Sequence, residues 1–184
     1  MNALLDLFKA KNVLLVHFAG AEGGEPEHKR YPKNLQHLRD HRCDICCCTV
    51  SPSKLSPWGT CGLIILPSSI ACLKGVSDHD MGSCRSEDCL IEVPSEFRDV
   101  TIQKCEETID TKSDMNEWVV SGNYHVAGLF IADTVAHRLQ PGDIATLQGQ
   151  FPGLKIFTSN TDTFSRIENI WLPISAADVY QTGI

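Results

Sequence analysis

The chain has 184 residues, of which 42% are hydrophobic and 21% charged, and carries a net charge of −7. That balance excludes long disorder, and the excess of acid excludes a broad basic surface that grips a nucleic-acid backbone. No apolar run reaches the roughly 18 residues of a membrane helix, and the start lacks a basic segment followed by a cleavage site. The expectation is one domain over 1–184 working in the cytoplasm, without membrane association.

Taken in chain order, residues 2–10 carry Leu4, Leu5 and Phe8 at helical spacing. Asn12 to Phe18 is an aliphatic run that predicts a buried strand. It runs into a glycine-rich loop, after which Pro32 precedes a predicted helix over Lys33 to Arg42, with Leu35 and Leu38 on one face. Cys43 to Val50 predicts a second strand. Ser51 to Gly59 reads as a Pro/Ser loop, and Cys61 to Leu66 as a third strand stopped by Pro67.

Ser77 to Asp88 reads as a polar loop. Cys89 to Val93 and Val100 to Lys104 read as short strands. Trp118 to Val120 and His125 to Ile131 read as a strand pair turning at Ser121-Gly122-Asn123. Short helices are expected over Thr134 to Leu139 and, with Asp143 as N-cap, Ile144 to Phe151. Leu154 to Thr158 reads as a last strand. The expected class is α+β, with six or seven short strands, a core over about 12–139 and an α/β extension over 140–184.

Nine cysteines occur: Cys43, Cys46, Cys47, Cys48, Cys61, Cys72, Cys84, Cys89 and Cys105. Without a secretory signal they read as free thiols, several buried as small hydrophobes in apolar runs. His41-Arg-Cys43-Asp-Ile-Cys46 has the spacing of one zinc knuckle. A structural zinc site needs a second pair at similar spacing, and none follows. A zinc-stabilised domain using Cys43 and Cys46 is therefore an alternative, and no metal is expected. Gly20-Ala-Glu-Gly23-Gly24 follows a strand but lacks the Gly-Lys-Ser/Thr of a phosphate loop. The cluster His28, Lys29, Arg30, Lys33, Arg39, Arg42 forms a local basic patch in an acidic chain.

One set of segments carries a resemblance. Leu14-Leu15-Val16-His17-Phe18 is a strand ending in a polar ring. Asn34-Leu35-Gln-His-Leu38 follows, then Ser51 to Gly59 with Trp58. Asp114-Met-Asn116-Glu117-Trp118-Val-Val lies far downstream. This order over residues 13–131 resembles the small ADP-ribosyltransferase fold of toxin–antitoxin and abortive-infection systems.

The resemblance implies a small mixed/antiparallel split-sheet domain with short helices, and NAD as the substrate. It implies Glu117 as the catalytic acid, with NAD positioned by His17, Phe18, Ser51 and Trp58. The chemistry suits these residue types: breaking the nicotinamide–ribose bond builds positive charge on the sugar, which a carboxylate stabilises. An imidazole at His17 can hold a ribose hydroxyl, and Trp58, Phe18 or Tyr31 can stack on the nicotinamide. Two departures stand: no tyrosine lies on the second strand, and Met115 stands where the arginine-modifying branch has Glu or Gln.

The implied role is a toxin or anti-phage effector that modifies a protein, DNA or RNA acceptor and is neutralised by an antitoxin protein. The competing reading is a non-catalytic protein-binding module such as an immunity or adaptor protein.

Overall fold

The computed structural model describes residues 2–18, 44–54, 61–85, 90–111, 113, 115–131, 149 and 156–158. The predicted helices over Lys33 to Arg42 and Thr134 to Leu139 lie outside the described residues, as do the glycine-rich loop, the basic cluster and, apart from Gly149, which is helical, the predicted helix over Ile144 to Phe151. The described residues are α+β, with two α-helices of nine residues each and a mixed seven-stranded sheet. No helix among the described residues is long and apolar enough to cross a membrane.

Helix α1 spans Ala3–Lys11. Asn2 caps it by accepting from the Leu4 amide at 3.1 Å, and Asn12 closes it in the left-handed region at φ 53°. Leu4, Leu7 and Phe8 recur at one-turn spacing and are buried. Phe8 packs edge-on against Trp118, with ring centroids 5.9 Å apart.

Helix α2 spans Ile102–Asp110, where the sequence reading expected a strand at Val100 to Lys104. Thr101 caps it through the Lys104 amide at 3.1 Å, and Cys105, Thr108 and Ile109 form its buried stripe. The short apolar window hid that stripe, because helical spacing shows only when Ile109 is included. Lys11 joins the helices by ion pairs to Glu106 at 2.8 Å and Asp110 at 2.7 Å.

The strands are β1 Leu14–Phe18, β2 Ile45–Val50, β3 Cys61–Pro67, β4 Leu73–Ser77, β5 Cys84–Arg85, β6 Ile91–Glu92, β7 Glu117–Val120, β8 Tyr124–Ile131 and β9 Ile156–Thr158. The large sheet runs β4-β7-β2-β1-β3-β8-β9, and β5 pairs with β6 in a separate ribbon. All neighbours in the large sheet are antiparallel except β8 and β9. Strand β4 carries Lys74 and Gly75, poor strand formers that hid it in the sequence. Gly75 is required there, because a Cβ would strike the Val93 side chain.

Strands β7 and β8 are not the expected hairpin: β7 pairs with β2 and β4, and β8 with β3 and β9. Three strands lie between them. In a flat sheet four strand spacings come to about 19 Å. The four steps from Val120 to Tyr124 reach about 14 Å at most. The sheet must therefore fold over, and the pairing places the fold at β2. Ile45 to Cys47 pair with β7, whereas Cys48 to Val50 pair with β1. The Ser121-Gly122-Asn123 link is laced to the β3–β4 connection by Ser68 N–H donating to Asn123 O at 3.0 Å and Ser121 N–H to Cys72 O at 2.8 Å.

The main core gathers Leu4, Phe8, Leu14, Leu15, Ile45, Leu63 and Trp118. Successive strand residues face opposite sides, so Val119 leaves this core for a second cluster with Met81, Ile91 and Val93.

Asp44 ties that second layer down. Its Oδ2 accepts from Lys74 Nζ at 2.6 Å and from the Ile91 amide at 2.7 Å. Burial pushes the Asp44 carboxyl up, but Lys74, Ser121 and the Ile91 amide outweigh it and hold it below the usual carboxylate range. A carboxyl lowered in the folded state contributes stability above its unfolded value of about 3.9, and that contribution fades as pH falls through the folded value. Asp44→Asn should cost about 2 kcal/mol at pH 7 in urea unfolding. The gap between variant and wild type should narrow as the pH falls below about 4.

Candidate functional site

The β1–β2 ladder ends at Val16↔Cys48, while β1 continues along β3 through His17↔Leu63 and Phe18↔Gly62. Beyond that last pair lies a cavity of about 310 Å³, lined from β1 by Val16, His17 and Phe18 and from β2 by Cys46, Cys47 and Cys48. Asp80, Ser83 and Glu117 complete the described wall. The volume sits at the low end of ligand pockets, about 300–1,000 Å³. Gly62 keeps the β1 side tight: a Cβ there would strike the Val16 side chain and lie 2.8 Å from the His17 carbonyl oxygen.

His17 and Glu117 meet the same residue. His17 Nδ1–H donates to the Cys46 carbonyl at 2.7 Å. In the neutral ring that assignment leaves the lone pair on Nε2. The Cys46 thiol donates to Glu117 Oε1 at 3.1 Å. Ser83 Oγ–H donates to the same oxygen at 2.5 Å, and the Met81 amide donates to Oε2 at 3.0 Å. Glu117 is only 8% exposed. Its three donors are neutral, and no cation among the described residues pairs with it.

Glu117 is held from behind by its neighbour in the chain. Asn116 is fully buried; its Oδ1 accepts from the Thr49 amide at 2.8 Å and the Thr49 hydroxyl at 3.0 Å. Its amide nitrogen reaches back to the Thr49 carbonyl at 3.5 Å. This clasp fixes the entry of β7 against β2. On the far side, Asp80 Oδ1 accepts from the Gly82 amide at 2.9 Å, and Gly82 takes a positive φ of 62°. That turn aims Met81 N–H and Ser83 Oγ at the carboxylate.

Of the residues the sequence singled out, the fold brings His17, Phe18 and Glu117 to one cavity. Phe18 also packs edge-on against Phe130, with centroids 6.0 Å apart. Ser51 lies elsewhere, at the opposite end of β2 from Cys46, in a turn where its amide donates to the Lys54 carbonyl at 2.8 Å. Strand geometry puts residues five positions apart at about 17 Å, so Ser51 is a turn residue rather than a cavity residue. Trp58 and Tyr31 lie outside the described residues.

Asp80, Ser83 and Asn116 carry no role in the sequence reading, and Cys46 only that of an alternative zinc ligand. One signal was present: a glutamate opening an apolar strand needs donors if it is buried, and the polar segment from Ser77 to Ser83 could supply them.

Cys46, Cys47, Cys48, Cys72 and Cys105 are thiols outside any disulfide. Burial, with lesser contributions from Cys46 and Cys48, pushes the Cys47 thiol well up, and burial pushes Cys105 up to about 12. Neither is a thiolate near neutrality, so neither serves as a nucleophile. Among the described residues no group of three His, Cys, Asp or Glu side chains is placed to hold a metal ion. Cys43, needed for the knuckle reading, lies outside the described residues.

Asn116→Ala removes an acceptor from two buried Thr49 donors, at a cost of about 2–3 kcal/mol in chemical denaturation. Thr49→Val, which removes the hydroxyl donor and leaves the Thr49 amide bond in place, should cost less than the alanine. Equal costs for the two would show that the Thr49 clasp does not hold β7.

No family model, no curated protein and no solved structure matches the chain.

Proposed function

We propose that the chain is an NAD-dependent ADP-ribosyltransferase acting on a macromolecule, built on a split-sheet domain whose cleft opens where β1 and β2 part. One observation carries the reading: His17 and Glu117, 100 positions apart in sequence, line one cavity and both bond to Cys46. A cavity of about 310 Å³ suits the nicotinamide–ribose end, with the rest of NAD running outward.

In this reading Phe18 packs against the nicotinamide and His17 Nε2 accepts a ribose hydroxyl. The ribose C1′–nitrogen bond breaks, its electron pair goes to the ring nitrogen, and neutral nicotinamide leaves. Glu117 stabilises the charge that develops on the ribose. The acceptor's nucleophile then bonds to C1′ and surrenders its proton to the carboxylate. A carboxylate has about four lone-pair positions. Three of those on Glu117 are taken, so one on Oε2 is left for this work. Trp58 and Ser51 enter only through the resemblance, and the position of Ser51 argues against it.

The cellular role follows from the same resemblance: a toxin or anti-phage effector held in check by a neutralising protein. Acidic overall charge favours a protein acceptor, and the Lys29–Arg42 cluster offers a route to nucleic acid.

A second reading, a non-catalytic binding module, is favoured by one observation. Glu117 receives donors from Met81, Ser83 and Cys46, as a residue that anchors the 78–83 loop would.

Incubation with labelled NAD and a cell lysate separates the two. The transferase reading predicts labelled macromolecule with wild type and a loss of about 10²–10³-fold in Glu117→Gln, and nuclease or protease digestion then names the acceptor. The binding-module reading predicts no label, no NAD-dependent shift in Tm, and a Glu117→Gln variant altered only in stability.

A further inference from the structure

Glu117 is a buried carboxylate with no counter-ion among the described residues. The contrast within the fold is Asp44, also buried, which meets Lys74 at 2.6 Å. Three neutral donors lower the cost of desolvating Glu117, but they leave its charge uncompensated. Asp80 adds a second carboxylate to the same wall, and no described lysine or arginine lines it.

Hydrogen-bond capacity points the same way. Oε1 of Glu117 takes two donors and Oε2 takes one. One acceptor position therefore remains on Oε2. The Ser83 hydroxyl has committed its proton to Oε1, so its oxygen offers lone pairs. Asp80 spends only Oδ1, on the Gly82 amide. Val16 and Phe18 supply an apolar flank beside these acceptors.

We propose that this cavity binds a hydrogen-bond-donating organic cation, a primary ammonium or guanidinium on a slender apolar stem. Its head lies against Glu117 and Asp80 and its stem along Val16 and Phe18. The cation supplies a counter-charge that no described residue provides and the donors for the remaining acceptors. A metal ion is a poorer occupant, because no group of three metal-binding side chains is assembled among the described residues. The inference rests on the charge and hydrogen-bond capacity of the cavity and does not depend on the NAD reading.

The test is calorimetric titration of the full chain, without NAD, with agmatine and cadaverine against choline and 1-pentanol. Choline has the charge without N–H donors, and pentanol has neither. The expected result is saturable binding of both amines that raises Tm, with choline and pentanol weaker by at least about tenfold. Glu117→Gln and Asp80→Asn should each weaken amine binding by about tenfold or more.

Asp80 is exposed, and asparagine can keep the bond to Gly82, so that variant preserves the fold if Glu117→Gln does not. Choline binding as tightly as cadaverine, amine binding unchanged in Asp80→Asn, or no amine binding at millimolar concentration would each overturn the proposal. N-acetylarginine amide tests the source. Affinity matching agmatine points to an arginine side chain of a partner protein, and much weaker affinity points to a free amine; both uphold the cation site. Amine titration succeeds or fails independently of NAD labelling, so the two readings are tested apart.

Discussion

Four Cα steps carry the chain from Val120 to Tyr124, although three strands separate β7 from β8 in the sheet. That short link permits no flat arrangement. The fold at β2 follows from it: Ile45 to Cys47 turn toward β7 and Cys48 to Val50 toward β1. Where the two sets of pairs separate, the Cys46 carbonyl bonds to the His17 ring and the Cys46 thiol to Glu117. The cavity is thus a consequence of topology, and its polar groups occupy the place where ladder bonds are interrupted.

Within that opening the chain sets up an electrostatic contrast. Asp44 and Glu117 are both carboxylates buried against β2 or β7, but among the described residues only Asp44 has a cation beside it. Asp44 therefore behaves as a structural tie. Glu117 has no counter-ion among the described residues and one acceptor position left on Oε2, and it lines a cavity of about 310 Å³. Neutral donors at Met81, Ser83 and Cys46 hold it rigidly, the arrangement expected of a carboxylate aimed at positive charge. The proposed transfer reaction and the proposed cation site would both draw on this feature, one through a charge that develops on ribose, the other through a charge that arrives with the ligand.

Much of the fold was legible in the sequence. β1, β2, β3 and β8 are long apolar runs bounded by turn residues, and α1 shows Leu4 and Phe8 one turn apart. What stayed hidden has physical causes. β4 contains Lys74 and Gly75, tolerated because Gly75 lets Val93 approach. α2 shows its stripe only over a full nine residues, since Ile102, Cys105 and Ile109 are separated by polar positions. The β7–β8 link has the local chemistry of a hairpin, with Gly122 at φ 75°, but pairing was decided by distant partners. Of the site, His17, Phe18 and Glu117 were readable as polar or aromatic interruptions at strand ends. Cys46 was not, because in an apolar run a thiol that packs and a thiol that bonds a carboxylate look the same. Ser51 stands at the end of β2 away from the cavity, because sequence proximity to a strand does not say which end faces the opening.

The most direct test of the central claim, that the 78–83 loop is seated on β2 at the cavity, is a cross-link. Cys46 Sγ lies 3.7 Å from Ser83 Oγ. Mild oxidation of the Ser83→Cys variant, followed by peptide mapping, should yield a disulfide between Cys46 and the introduced thiol as the dominant new linkage. The introduced thiol found free, or linked mainly to another cysteine, would contradict the seating of the loop and with it the donor set that holds Glu117.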